Sequence, residues 1–163
     1  MLKRTALLSA VALTALAGSA LATPPIGNVV AETTRGTLAG PLNVRTKFAP
    51  GTGVMLKTSG DIEVISQRIV AEPGSSFGWH SHPGESVAVV MQGAITLFDD
   101  ENCSAGTEFV AGDAFPTPSD EVHLAHSSGT EPLILFATYF AHDVDPPLQV
   151  RVDEPLPAEG CPE

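Results

Sequence analysis

Apolar residues in this chain recur in short alternating runs rather than at helical spacing. Residues 54–57, 62–65, 86–91, 94–98, 107–110, 114–117, 122–127 and 132–141 each read as a β-strand, with Gly, Pro and Asp clustered between them. Beyond residue 22 no segment sustains a 3.6-residue period over three turns. Strands at this spacing predict an antiparallel sandwich or barrel. Gln92-Gly93, lying between two runs, reads as the turn of a hairpin. The stretch from Thr23 to about Gly40, with Pro24, Pro25, Gly27 and few large apolar residues, reads as a leader. After His142, Asp143-Val144-Asp145-Pro146-Pro147 is expected to end the regular structure. The predicted organisation is a leader and first strands over 23–53, one barrel over 54–142 and a tail over 143–163, with no repeat and no second domain.

The first 22 residues stand apart. Lys3 and Arg4 precede an apolar run over 5–21, and Ala20-Leu21-Ala22 has the small-any-small pattern of a signal-peptidase site. That run is short for a bilayer span. Cleavage after Ala22 is the expectation, with a periplasmic or secreted product free of the membrane. The 163 residues hold 19 acidic side chains against 8 basic ones, a net charge of −11, and two of the basic residues, Lys3 and Arg4, lie in those first 22. Such a balance argues against nucleic acid or an anionic membrane as partner, because phosphate binding needs clustered Lys and Arg. Solubility is the plainer explanation of the charge. The two cysteines, Cys103 and Cys161, have no metal-ligand spacing. In an oxidising compartment they are candidates for a disulfide that pins the tail to the body, contributing about 4 kcal/mol by loop closure. Two separate thiols are the alternative.

Against this background one segment carries chemistry. His80 and His82 sit two residues apart in a strand, so both imidazoles face the same way, and two on one face can share a metal ion. His123, beyond the next strands, is the candidate third ligand. Two polar residues on a solvated strand face are the plain alternative. Trp79 has the opposite parity and reads as packing. Ala88 and Val90 should face inward with the histidines. In the last strand either Phe136, Thr138 and Phe140 or Leu135, Ala137 and Tyr139 line the interior, and alternation alone does not choose. His126 and His142 read as surface residues. Glu121, two residues before His123, is the candidate catalytic residue, either orienting an imidazole or acting as general base. A solvated glutamate is the plainer reading.

Two motifs in order resemble the cupin superfamily of small β-barrels, over roughly residues 54–141. Gly74, five residues, His80-Ser81-His82 and a closing Gly93 follow the family's first motif. Gly112, five residues, Pro118, Asp120, His123 and Ser127 follow its second, with Asp120 where the family has glycine. Asp tolerates the left-handed turn conformation better than most residues. The family also has a metal-binding glutamate where this chain has Ser86, and the nearest acid, Glu85, comes one residue early. A one-residue offset on a strand reverses the face. Ser86 is therefore expected inward, with Glu85 a reserve ligand if the Pro83-Gly84 turn distorts the register.

The resemblance implies an all-β fold, the antiparallel double-stranded β-helix or jelly-roll barrel, and a homodimer. It also implies a divalent metal cation on His80, His82 and His123. Three neutral imidazoles would leave a divalent ion its full charge and open positions, and they suit iron, zinc, copper or nickel better than magnesium or calcium. The leading expectation is an oxidoreductase of the dioxygenase kind acting on a small-molecule substrate. The alternatives are Lewis-acid isomerisation, elimination or hydrolysis, and a metal-free barrel that binds a small ligand without catalysis.

Overall fold

The computed structural model describes residues 22–101, 103–142, 150–157 and 160–163. The strands are β1 (Val29–Leu38), β2 (Leu42–Ala49), β3 (Thr52–Thr58), β4 (Ile62–Ala71), β5 (Ser76–Ser81) and β6 (Glu85–Gln92). They continue as β7 (Ala94–Asp99), β8 (Thr107–Val110), β9 (Ala114–Thr117), β10 (His123–Ser127), β11 (Leu133–Ala141) and β12 (Val152–Asp153). No helix occurs among the described residues. The apolar run over 5–21 lies outside them.

Two five-stranded antiparallel sheets face each other, in the orders β1-β4-β11-β6-β9 and β12-β5-β10-β7-β8. The fold is all-β and antiparallel, as the spacing of the runs predicts. Strict alternation builds the interior. Along β6, Ser86, Ala88 and Val90 are buried while Glu85, Val87, Val89 and Met91 face out. Along β11, Leu135, Ala137 and Tyr139 point inward, which settles the choice that alternation left open. Ile65, Ile95, Phe115 and Leu133 join them in one apolar core between the sheets. A second, smaller cluster lies outside the β5–β10 pair. It consists of Trp79, Leu124 and Cys161, flanked by Phe98, Cys103, Val122 and Leu156.

Four expectations need correction. The stretch read as a leader contains β1, paired with β4 over its whole length. It is an edge strand, nearly all exposed, held by side-chain bonds such as Thr37 to Glu63 (2.6 Å) and Gln67 to Thr33 (3.0 Å), so it needs no apolar alternation. The run over 54–57 lies in β3, which pairs only with β2 as a separate hairpin and not in either barrel sheet. Gln92-Gly93 is not a hairpin turn. β6 pairs with β11 and β9, whereas β7 pairs with β10 and β8, so the chain crosses between sheets at Gly93. Gly93 has a φ of +78°, and a Cβ there would come within 3.0 Å of the Pro132 carbonyl. Finally, the tail returns to regular structure as β12, which adds to the edge of β5.

Cys103 and Cys161 form a disulfide, with their Cα atoms 5.2 Å apart. Asp120 takes a φ of +60°, the left-handed conformation expected at that turn. Ala22, beside the expected cleavage point, forms an isolated bridge with Pro155.

Candidate metal centre

Residue order on two paired strands brings the three histidines together. β5 and β10 run antiparallel with His123 opposite His80 and Leu124 opposite Trp79. The imidazoles of that first pair therefore share the inner face, and the apolar pair shares the outer one. His82, just past the end of β5, completes the group. Ring centroids lie 4.4 Å apart for His80–His123 and 5.0 Å apart for His80–His82 and His82–His123. All three side chains are buried, and one ring nitrogen from each lies within 4.8 Å of the others. Small rotamer adjustments would bring such nitrogens to the roughly 3.3 Å spacing of three ligands about 2.1 Å from one ion.

The backbone fixes which nitrogen is free. Nδ1 of His80 lies 2.8 Å from the Gly78 carbonyl oxygen, Nδ1 of His82 lies 2.5 Å from that of Val150, and Nδ1 of His123 lies 2.9 Å from that of Glu121. A carbonyl only accepts, so each Nδ1 carries the proton and donates it, and each Nε2 keeps its lone pair. Carbonyl-oriented Nδ1–H with a free Nε2 is the arrangement of metal-bound histidines. Electrostatics agree. Burial, then the neighbouring His123, Arg151 and His82, holds His80 well below the usual imidazole range. Burial also lowers His82, with a further push from Arg151, against the bond to Val150. Burial and His82 bring His123 down to about 4. Neutral imidazoles are what a cation needs as ligands. The donor set thus fits a metal ion, and the three histidines could hold one.

Ser86 faces inward and bonds the Thr117 hydroxyl, while Glu85 is exposed, so no carboxylate replaces the family's glutamate. The Pro83-Gly84 turn leaves the register of β6 intact. Glu121 supports His123 through its main-chain carbonyl. Its carboxyl is exposed, in a shallow depression shared with His123 and Thr117. Partial burial, then Asp99, Asp100, Glu101 and Glu85, raises its proton affinity. Trp79 is wholly buried in the outer cluster, as its parity predicts. His126 is half-buried on β10 and His142 is exposed, both away from the cluster.

Below the histidines a cavity of about 50 Å³ is walled by Ala88, Leu97, Phe115, Ala125 and Ala137. The Tyr139 ring lies 5.0 Å from that of His82, tilted by 57°, and burial pushes its hydroxyl up to about 12 against the pull of Arg151. A larger open depression of about 770 Å³ runs along the β2–β3 hairpin. Only that hairpin's own residues line it, so its size reflects protrusion rather than chemistry.

Two groups at this centre had no sequence signal at all. One is the Val150 carbonyl that orients His82. The other is Arg151, whose charge reaches all three histidines. Thr117 could have been found, because the alternation of Phe115 and Thr117 puts a hydroxyl on the inner face of β9.

Comparison with known proteins identifies the domain that holds the histidines. The cupin domain profile matches residues 67–139, a span that includes all three histidines. Germin-like protein 5-1 of Oryza sativa subsp. japonica is 36% identical over 77 residues, which are 44% of this chain and 33% of that protein. The chain thus spans about a third of the length of that curated relative. An uncharacterised protein with a double-stranded β-helix domain from Klebsiella pneumoniae is 28% identical, with a TM-score of 0.42 over 48% of this chain and 66% of that one. The oxalate decarboxylase of Lactobacillus farciminis is 25% identical, with a TM-score of 0.45 over 55% and 26% of the respective chains. By its domain match, its two motifs and its paired antiparallel sheets, the chain carries a cupin domain over residues 67–139.

Proposed function

We propose that this protein is an exported metal-dependent oxidoreductase of the dioxygenase kind, acting on a small organic substrate at His80, His82 and His123. One observation carries the reading: three neutral imidazoles, each oriented by a main-chain carbonyl, converge on a small, largely apolar cavity. A divalent ion on this set would supply electrophilic activation and open positions for both substrate and oxygen. The protein's own part is to hold the three lone pairs ready and to exclude water with Ala88, Ala125, Ala137 and Phe115. Glu121, which shares a depression with His123 and has raised proton affinity, would take up or return a proton. The Cys103–Cys161 disulfide supports maturation in an oxidising compartment after cleavage at Ala22.

A second reading is favoured by the inward Ser86. With no carboxylate among the ligands, a bound ion would keep its full charge and act as a strong Lewis acid without redox change.

Both readings are tested on the full chain by metal analysis and oxygen uptake. The expected result is near-stoichiometric iron, copper, nickel or zinc, lost in a His80→Ala/His123→Ala variant, and ferrous-dependent oxygen uptake with one of a panel of diphenols, diketones and thiols. Full loading without oxygen uptake, but with turnover under zinc and nitrogen, would transfer the assignment to the Lewis-acid reading. No metal after reconstitution would overturn both.

A further inference from the structure

The β2–β3 hairpin takes no part in the metal centre and pairs with neither barrel sheet. A two-stranded ribbon alone is marginal in water, so one that projects with bare apolar side chains calls for something to cover it. Residues 43–55 are exposed without a break, with Phe48 at 68%, Met55 at 67% and Val54 at 59%. The end of the ribbon, residues 48–55, carries no charge. Phe48 sits there in the register shift between Lys47 and Ala49. Behind that end stand Lys47, Arg45 and Lys57, none of which makes an ion pair among the described residues. No acidic residue occurs over 41–60, so all 19 lie elsewhere in the chain. Cross-strand pairing also sorts the two faces. Val44 with Leu56 and Thr46 with Val54 share one, while Asn43 with Lys57, Arg45 with Met55 and Lys47 with Gly53 share the other. The ribbon is thus apolar at its end and on one face, and cationic on the opposite face behind the end.

We propose that this hairpin docks the protein on an anionic bilayer surface, with residues 48–55 in the interfacial layer and Arg45, Lys47 and Lys57 level with the lipid phosphates. Docking of this kind needs nothing from the metal centre. An uncharged apolar end enters the boundary between headgroups and acyl chains, and long cationic side chains just behind it reach the phosphates. At eight and seven residues, β2 and β3 fall short of the roughly nine to eleven that a strand needs to cross, so the ribbon lies in the surface. The net charge of −11, which weighs against an anionic membrane, belongs to the body. A ribbon of eight residues reaches about 25 Å, whereas exposed charges are screened over about 8 Å at physiological salt. The end of the hairpin therefore meets a surface largely free of the body's repulsion. A second copy of the chain is the poorer occupant. Protein interfaces are depleted of Lys and bury about 800 Å² on each side, more than the end of a narrow two-stranded ribbon presents.

The test is co-sedimentation with vesicles of phosphatidylcholine alone and of phosphatidylcholine mixed with phosphatidylglycerol. The chain used starts at Thr23, because the apolar run over 5–21 would bind lipid by itself, and every described strand and both apolar clusters lie beyond that point. Wild type is expected to partition onto the anionic vesicles, to release as salt rises and to ignore the neutral ones. Arg45→Gln/Lys47→Gln/Lys57→Gln should weaken that partition about a hundredfold, and Phe48→Ser/Met55→Ser about tenfold or more. Arg35→Gln, which removes a cation of the barrel's edge strand, should leave it within about twofold. All these side chains are exposed, so wild-type melting temperatures separate lost docking from lost folding. No binding of wild type to the anionic vesicles, or undiminished binding by the charge or tip variants, overturns the proposal. So does a vesicle-free dimer in sedimentation velocity that Phe48→Ser/Met55→Ser splits, since a second copy would then cover the tip.

Discussion

The two sheets of this barrel are built alike inside and differently outside. The β12-β5-β10-β7-β8 sheet has packing on both faces. Its inner face carries His80 and His123, and the reverse of the same paired positions carries Trp79 and Leu124, covered by the C-terminal segment. Trp79 Nε1 donates to the Pro162 carbonyl at 2.8 Å, and Cys161 is tied to Cys103. Among the described residues the opposite sheet is covered on its inner face only, and leaves Val87, Val89, Met91 (55% exposed) and Phe136 (46%) on its outer one. The sheet packed on both faces is the one that holds the three histidines. Packing directly behind a pair of histidines removes the freedom that a metal ion would otherwise have to freeze out on binding.

If that contrast is real, breaking the covered face should cost far more than trimming the bare one. Trp79→Ala removes a wholly buried side chain and strands the Pro162 carbonyl, and should lower unfolding free energy by about 3–5 kcal/mol in a denaturant titration. Metal affinity should fall with it, because His80 loses its backing. Cys103→Ser/Cys161→Ser frees a loop closed over 58 residues and should cost about 4 kcal/mol by the loop-closure relation. An equal cost for Trp79→Ala with undiminished metal affinity would show that the outer cluster stabilises the sheet without organising the centre.

The same comparison can be made with pH, since the covered sheet also holds the buried imidazoles. Unfolded, a histidine takes up its proton near pH 6.5, whereas folded His123 resists until about 4. Stability of the metal-stripped protein is therefore whole above about pH 6.5, is lost as pH falls toward 4, and changes little from this source below that. For His123 alone the loss is roughly 3 kcal/mol, and His80 and His82, lowered in the same direction, add to it. Urea midpoints between pH 7 and 4 measure it, and His123→Gln should flatten the curve. A slope unchanged in that variant would place the proton uptake elsewhere.

How much of this was legible in the sequence depended on whether a feature is local. Period-2 alternation was enough to put His80, His82, Ser86, Ala88 and Val90 on one face and Trp79 on the other, and turn chemistry was enough for Asp120. β1 escapes such a reading because an edge strand with exposed residues carries no alternation. Gly93 is ambiguous in sequence because a tight turn between strands looks the same whether it closes a hairpin or passes to the other sheet. Arg151 was invisible for a stronger reason. Its position depends on a two-residue strand pairing with β5 from a Pro-rich tail, a long-range event that leaves no periodicity behind.

The smallest expected effect is the one most able to change the picture of the bare face. Phe136→Ala trims a half-exposed ring and, if the face meets only solvent, should cost under about 1 kcal/mol, with Val89→Lys within a few tenths of wild type. The family resemblance implies a homodimer, and a second copy seated on Val87, Val89, Met91 and Phe136 would reverse that expectation. Apolar side chains covered at an interface contribute through association, so both substitutions would then cost several kcal/mol and the melting temperature would rise with protein concentration. Sedimentation of Val89→Lys beside wild type reads the difference directly. A monomer in both cases leaves the two sheets as unlike as they stand in one chain. A wild-type dimer split by Val89→Lys would mean that each sheet is covered after all, one by its own tail and the other by its partner.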